Sequence, residues 1–513
     1  MNSTAQSTSR RVVDVDASSP KNEEKEHSPS PSVTKVSHLR LSDASQDGSA
    51  AAKHGAQWVT GTELAALSIV LIAAMFLMML DTSIIATAIP RITDEFRSLQ
   101  DVGWYVSIYQ LANAALQPLW GRIYDKFSNK SSFLASLAIF ELGSLVCGVA
   151  ISSRMLIGGR AIASIGSAGL VSGGLTIAAS AVPLEKRAPL TAMLMGFAQL
   201  GIAIGPLLGG AFTSYTTWRW CFYINLPIGG ILAIGLFRIT VPDQCRKPNP
   251  WSLLRRLHLE LDLLGFALIA PAAFQLLLAL SWGGSKYAWN SATIIGLFCA
   301  AGVTALLWLV WDWYRGDEAL IPISIIKVQL TGYVIPYAML AAAIGSISNG
   351  LYSTFSPTTS MSKWVGYQVL NGAGRGVGMP MAILAVQAAL PPTDLAMGNS
   401  VVIFVQSLGT AITLAISDAI FEGSLESELP KQAPLADAAA IIAAGATHFR
   451  STVSEQDLPG VLAAYSLSIN RVFYLAAGVS SLGLLTALGM GWVNVSKKRR
   501  AGEDGIPLQD LSA

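Results

Sequence analysis

Charge is what this chain has least of. Lys+Arg 34 and Asp+Glu 32 amount to 13% of 513 residues, against about 25% in an ordinary soluble chain. Fourteen of those charges crowd between Arg10 and Lys53, so the rest of the chain is poorer still. Too few remain to cover a water-facing surface, which excludes a soluble enzyme and a secreted scaffold. A net charge of +2 also provides no field for a polyanion such as nucleic acid. Cysteine is scarce as well: Cys147, Cys221 and Cys299 sit in apolar segments and Cys245 in a basic loop, with neither metal-ligand nor disulfide spacing. The five histidines (His27, His38, His54, His258 and His448) form no cluster, triad or heme-ligand pattern. The expectation is a non-enzyme that carries no metal and no cofactor.

Apolar sequence is what fills the chain. Hydrophobic residues make up 52%, glycine is abundant at 46, and mean hydropathy is +0.50. Runs long enough to cross a bilayer, about 20 residues each, fall at 64–90, 102–121, 132–151, 156–181, 190–213, 221–241, 262–282, 291–313, 332–355, 365–390, 397–421 and 472–494. This predicts an all-α membrane protein of twelve spans, an even number that puts both termini on one side. The Lys497-Lys498-Arg499-Arg500 cluster after the last span marks that side as cytoplasmic, and Arg122, Lys126, Lys130, Lys186, Arg187 and the basic 242–261 loop agree. Trp104, Trp120, Trp218, Trp220, Trp282 and Trp289 lie near span ends, as an interfacial belt requires.

The organisation that follows is a tail over 1–56, rich in Ser, Thr, Lys and Glu and too poor in apolar residues to fold, in which Ser28-Pro29 and Ser30-Pro31 are phosphorylation candidates. A six-helix bundle spans 57–241, a cytoplasmic basic loop 242–261 and a helix pair 262–313. Further helices occupy 314–494, with a long outer loop over 422–471 whose Ala-rich stretch from Ala438 to Ala444 suits a surface helix, and a second tail runs over 495–513.

Inside a membrane the informative residues are polar. A charge at mid-bilayer costs a few kcal/mol or more, so it faces a cavity or a partner. Asp81, Glu141, Arg160 and Arg375 all fall within spans. A carboxyl can take up and release a proton, and an arginine can hold it charged until a proton or a substrate intervenes. The alternative is a static ion pair. Gln110, Asn113 and Gln117 are spaced i, i+3, i+7 on one face of span two, and Gln199 lies in span five; each suits either a cavity wall or interhelical hydrogen bonding. Gly201, Gly205 and Gly209 recur every four residues, beside Pro206 and Gly210, which permits close packing and a kink. The Gly372–Gly378 run superficially matches a dinucleotide loop, but it follows no soluble strand and sits in a span, which rules that reading out.

Together these segments resemble a known family. Gly201-Ile-Ala-Ile-Gly205-Pro206-Leu-Leu-Gly209-Gly210 is similar to the antiporter motif of the major facilitator superfamily, and Gly121-Arg-Ile-Tyr-Asp125-Lys126-Phe-Ser-Asn-Lys130 resembles its signature loop between helices two and three. Leu80-Asp81-Thr82-Ser83-Ile-Ile-Ala-Thr87-Ala-Ile-Pro90 and Trp218-Arg219-Trp220-Cys-Phe-Tyr-Ile-Asn225-Leu-Pro227 are similar to the fungal fourteen-helix drug:proton antiporters, which include toxin efflux pumps. The resemblance covers about 60–495. It implies proton coupling at Asp81 and Arg160, with Glu141 a further candidate; gating by Gly121, Arg122, Asp125 and Lys126; and a helix-five bend at Gly205, Pro206 and Gly209 suited to antiport. The candidate cavity residues remain Gln110, Asn113, Gln117, Gln199 and Arg375.

Three departures accompany the resemblance. Ser128 stands where the signature loop usually has glycine. Ala163 and Ser164 replace the usual Gln-Gly after Arg160. Members of this branch also carry two further helices after a sequence like Leu320-Ile-Pro-Ile-Ser-Ile-Ile-Lys327, whereas here Thr331-Gly332-Tyr333 follows almost at once. Spans seven and eight then resemble the branch's central linker pair. The resemblance implies a monomeric carrier of the plasma membrane, or alternatively of a vacuole or vesicle, that exports a small amphipathic compound against an inward proton gradient. An uptake carrier of the same fold, a transport-impaired short form and a membrane sensor are the rival expectations.

Overall fold

The structure, a computed structural model, describes residues 58–98, 101–243, 247, 260–283, 287–321, 334–438, 441, 453–454 and 456–488. The expectations for the 1–56 tail, for the 495–513 tail with its basic cluster, for most of the 242–261 loop and for the junction after Lys327 lie outside these residues. Among the described residues twelve helical spans appear and no strand. They are α1 (Gly61–Phe96), α2 (Val102–Lys126), α3 (Asn129–Gly148), α4 (Ser153–Ala181), α5 (Leu184–Tyr215), α6 (Trp220–Arg238, with a turn at Ile224), α7 (Leu263–Trp282) and α8 (Ala292–Arg315). α9 (Val334–Tyr352), α10 (Met361–Gly378, then Met381–Ala389), α11 (Leu395–Gln432) and α12 (Leu458–Leu488) follow. Ten are long and apolar enough to cross a membrane. α2, whose Gln110, Asn113 and Gln117 lower its hydropathy, and the 19-residue α9 are the two spans outside that set.

Lipid is as apolar as leucine, so close packing and hydrogen bonds, rather than hydrophobic burial, must hold such helices together. The sequence supplies both. α4 is built largely from Gly, Ala and Ser, and 83% of its most apolar window is buried, which makes it the central helix of the first bundle. Its Gly159, Gly166 and Gly169 approach Cys147, Phe140 and Ser136 of α3, and Ala163 seats directly on Gly143. The residue that departs from the family pattern is thus a small one where α3 and α4 touch. The other departure, Ser164, donates to the Tyr109 carbonyl at 2.5 Å. Ser128 has φ −59°, a conformation that needs no glycine.

One end of the bundle carries Arg122, Lys126, Lys130 and Arg187. Two lysines there cap helices: Lys130 donates to the carbonyls of Phe237 and Ile239 at 2.9 Å each, and Lys247 to those of Tyr124 and Asp125 at 2.9 and 2.8 Å. A cation at a helix C-terminus meets unsatisfied carbonyls and the negative end of the dipole. At the opposite end Glu95 of α1 accepts from Trp218 Nε1 (2.6 Å) and pairs with Arg219 (3.0 Å), which also donates to the Ala150 carbonyl.

The helix pair α7–α8 is fixed by Asp262. Buried and left-handed at φ 46°, Asp262 accepts from Gly265 N (3.2 Å), Trp311 Nε1 (2.8 Å) and Leu320 N (2.7 Å). From there α7 runs along the seam between α2 and α11. Ile269 and Ala273 pack with Phe404 near the basic end, Leu277 with Leu111 further along, and Trp282 meets Trp104 edge-on at the far end.

Two expectations are corrected. The long outer loop is much shorter than 422–471, because α11 continues to Gln432 and α12 already begins at Leu458. Leu425 and Leu429 pack against Val461, Ala464 and Tyr465, and Glu428 pairs with Arg471 at 2.7 Å. At 38 residues α11 is about 57 Å long, well beyond a ~30 Å hydrocarbon core, so its last turns and the first turns of α12 form a helical hairpin outside the membrane. Most of the Ala438–Ala444 stretch lies outside the described residues. Span ten, expected as one helix over 365–390, is interrupted at Met379–Pro380, where the proline ring cannot continue the hydrogen-bond ladder.

Candidate functional site: a buried charge pair and a close helix contact

Asp81 of α1 and Arg160 of α4 are each 1% exposed, and Arg160 Nη1 stands 2.6 Å from Asp81 Oδ2. The guanidinium also donates from Nε to the Tyr105 carbonyl (3.2 Å) and lies 4.2 Å over the Tyr109 ring. The second carboxylate oxygen accepts from Asn225 Nδ2 of α6 (3.1 Å), which also reaches Ser144 of α3 (3.0 Å). One ion pair therefore gathers side chains or backbone from α1, α2, α3, α4 and α6. Asn225 was visible in the sequence only as part of a motif, and nothing in its spacing announced a partner. Glu141 does not join the pair. It lies between α3 and α6 against Gly229, one turn before Ser144, and neither of its oxygens has a hydrogen-bond partner among the described residues.

The glycine repeat positions Asp81. Gly201, Gly205 and Gly209 of α5 face Leu80, Ser83 and Thr87 of α1, and Ser83 Oγ donates to the Gly201 carbonyl at 3.0 Å. With no side chain between them, α1 and α5 touch along the turns that flank Asp81. Gly210 is different, because a methyl placed there meets nothing within 4 Å.

The expected polar stripe on α2 divides. Asn113 donates to Ser167 (2.9 Å) and accepts from Gln117, whose Oε1 takes the Ser172 hydroxyl proton (2.7 Å). Both residues thus serve interhelical bonding with α4 rather than a cavity, and Gln117 is fully buried. Only Gln110 is exposed. The chain of bonds continues across the molecule, since Ser400 of α11 donates to Ser172 at 3.0 Å.

That last contact belongs to a tight meeting of α2, α4 and α11 at the basic end. A methyl built on Gly121 would stand 2.9 Å from Ser400 Cβ and 3.2 Å from Met397 Cα, so only glycine lets α2 and α11 meet there. Arg187 of α5 donates to the Gln387 carbonyl of α10 (3.1 Å). Around it, Asp125 stands 3.9 Å from both Arg122 and Lys126, and Lys126 reaches Glu260 at 3.2 Å. Gly121, Arg122, Asp125 and Lys126 thus lie together at this end, joined by Ser172, Ser400 and Lys247, which sequence reasoning missed, serines being too common in apolar spans to stand out. At the other end the surfaces change. Leu395–Ser400 of α11 are buried, whereas Val405, Leu414 and Ile416 are exposed, as are Leu200, Ile202 and Leu207 of α5. A Gly121→Val variant is expected to hold α2 and α11 apart here. With cysteines at Ser172 and Ser400, oxidative cross-linking in membranes should fall several-fold when Gly121→Val is added; an unchanged yield would mean that Gly121 does not set this contact.

Residues 71–352 match the profile of the Major Facilitator Superfamily. The chain belongs to that superfamily. It is 45% identical to the MFS-type transporter pigP of Monascus ruber, over 86% of this chain and 88% of that one. It is 41% identical to the efflux pump mlcE of Penicillium citrinum (89% and 95%) and 36% identical to the efflux pump aflT of Aspergillus parasiticus (86% and 98%). This superfamily member is thus a multi-pass membrane transporter with fungal efflux pumps among its relatives. The alignment with the Monascus transporter runs over 502 positions, yet 86% of 513 residues is about 441. About 61 positions inside the matched region therefore have no counterpart here, enough for two membrane helices and their connections.

Proposed function

We propose that this chain is a proton-coupled exporter of small amphipathic compounds, working by alternating access across the plasma membrane with both termini in the cytoplasm. On this reading the basic end is the cytoplasmic end, the contact of Gly121, Ser172 and Ser400 is a closed gate, and the state is outward-facing. The observation that carries the reading is the wholly buried Asp81–Arg160 pair, held beside the glycine seam where α1 meets α5.

A buried ion pair costs desolvation and adds little net stability over apolar packing, so its presence favours a working role. In the outward state a proton reaches Asp81 from outside. Neutralising the carboxylate removes its attraction for Arg160, leaves the guanidinium to the Tyr105 carbonyl and the Tyr109 ring, and loosens α1 from α4. α1 is packed to α5, and α5 is bonded to α10 through Arg187, so that loosening reaches the gate. Inward opening releases the proton and admits cargo. No cofactor enters this cycle; the proton gradient drives it. Its protonation sites are the chain's own carboxyls, with Glu141 beside Ser144 as a second position.

The test is accumulation in everted plasma-membrane vesicles carrying the full chain. An acid interior should drive uptake of the aromatic ions named below, a protonophore should abolish it, and Asp81→Asn should lower it at least ten-fold at equal expression. Uptake by Asp81→Asn equal to wild type would remove Asp81 from the coupling scheme.

A further inference from the structure

From the exposed guanidinium of Arg375, we infer that the cargo is an organic anion: an apolar body bearing a carboxylate, sulfate or phosphate that pairs with this side chain at mid-membrane. The inference rests on the export reading and specifies its cargo.

Arg375 lies fourteen residues from Met361 and fourteen from Ala389, the two ends of α10, about 21 Å from each at helical rise. It therefore sits near the middle of the apolar span Met361–Gln387, well away from either end. Arginine cannot shed its charge in a protein, and an unpaired charge at that depth persists only where water or a counter-ion reaches it. Arg375 is exposed and makes no ion pair or side-chain hydrogen bond among the described residues. Arg160, by contrast, already has Asp81.

The surroundings fit an anion with an apolar body. Gln368, Gly372, Arg375 and Met379 recur at i, i+4, i+7, i+11 on one exposed stripe of α10. That stripe turns away from the face where Gly374 and Gly378 pack on Ile344 and Ala341 of α9, and a methyl on Gly372 or Gly376 would meet nothing within 4 Å. Across it stands Gln199 of α5, whose Nε2 is 3.9 Å from Met379 Sδ, with exposed Leu200 and Ile202 beside it. Gln199 and Gln368 supply amide donors, the guanidinium fork supplies two parallel N–H bonds to a planar or tetrahedral oxyanion, and the leucine and isoleucine supply the apolar wall. Directly below, α10 is interrupted at Met379–Pro380, the kind of discontinuity that marks midplane binding sites in transporters.

Two probes with the same aromatic body and opposite permanent charge decide the matter: 1-pyrenesulfonate and (1-pyrenylmethyl)trimethylammonium. In acid-interior everted vesicles the wild type is expected to accumulate the sulfonate at least ten-fold faster than the ammonium. Arg375→Ala should cut sulfonate accumulation ten-fold or more, as the loss of a charge-assisted pair of roughly 1.5–3 kcal/mol requires, Arg375→Lys should restore part of it, and Arg375→Glu should raise accumulation of the ammonium. Export of an anion against an inward proton also moves net charge, so an interior-positive potential should speed the sulfonate in the wild type. A wild type that prefers the ammonium, or an Arg375→Ala variant within two-fold of wild type on the sulfonate, overturns the anionic cargo and leaves proton-driven export standing. Accumulation of neither ion by the wild type overturns both.

Discussion

Arg160→Ala is expected to destabilise the protein by about 3–5 kcal/mol, because it leaves Asp81, 1% exposed, without its counter-ion and supported by Asn225 alone. The thermal midpoint of the detergent-purified chain, followed by fluorescence-detected size exclusion, will report it. A neutral pair separates structure from coupling. Asp81→Asn with Arg160→Gln removes both charges and nearly preserves volume, so stability should return to within about 1 kcal/mol of wild type, as replacing both members of a buried pair often permits. Proton-driven accumulation should remain lost, since no ionisable group is left between α1 and α4. If the double variant instead transports at the wild-type rate, the pair is a helix tie and nothing more.

Why this pair was legible in the sequence, and the gate only partly, has a physical explanation. A charged residue in an apolar run is conspicuous because lipid tolerates it poorly, and Asp81 and Arg160 are both such residues. That they are each other's partner follows from helices 79 residues apart coming together, which no local spacing encodes. Glu141 was equally conspicuous and sits elsewhere, against Gly229, because α3 turns that face to α6. The polar stripe on α2 was legible as a stripe, but whether it lined water or bonded a neighbour depended on Ser167 and Ser172 of α4, and those serines carried no signal of their own.

Errors of boundary had similar causes. Hydropathy sees a bilayer, not a helix, so α11 was cut where Glu422, Glu426 and Glu428 begin. Its final turns are amphipathic, and the buried stripe of Leu425 and Leu429 holds them to α12 without any need for lipid. The break in α10 had a local signal in Pro380. A run of apolar residues on both sides masked it.

The glycine motif allows a sharper discrimination than its sequence does. Gly201, Gly205, Gly209 and Gly210 read alike as one small-residue patch, yet the packing gives them different consequences. A methyl on Gly201 would stand 2.6 Å from the Phe76 carbonyl oxygen and 2.8 Å from Leu80 N, both backbone atoms of α1 that cannot swing aside. Gly201→Ala must therefore push α1 from α5, at a cost of roughly 1–3 kcal/mol, and it should reduce transport well beyond that loss by displacing Asp81 from Arg160. At Gly205 the nearest atom is the Ser83 hydroxyl, a side-chain group. Gly205→Ala should be milder, and Ser83→Ala should relieve it in part. Gly210→Ala meets open space and replaces a poor helix former with the best one, so stability should stay level or rise slightly. Measured together by thermal midpoint and vesicle accumulation, the expected order of loss is Gly201, then Gly205, with Gly210 silent. An equal loss at Gly201 and Gly210 would mean that the motif acts through helix flexibility along all of α5, and not through the contact that holds Asp81 in place.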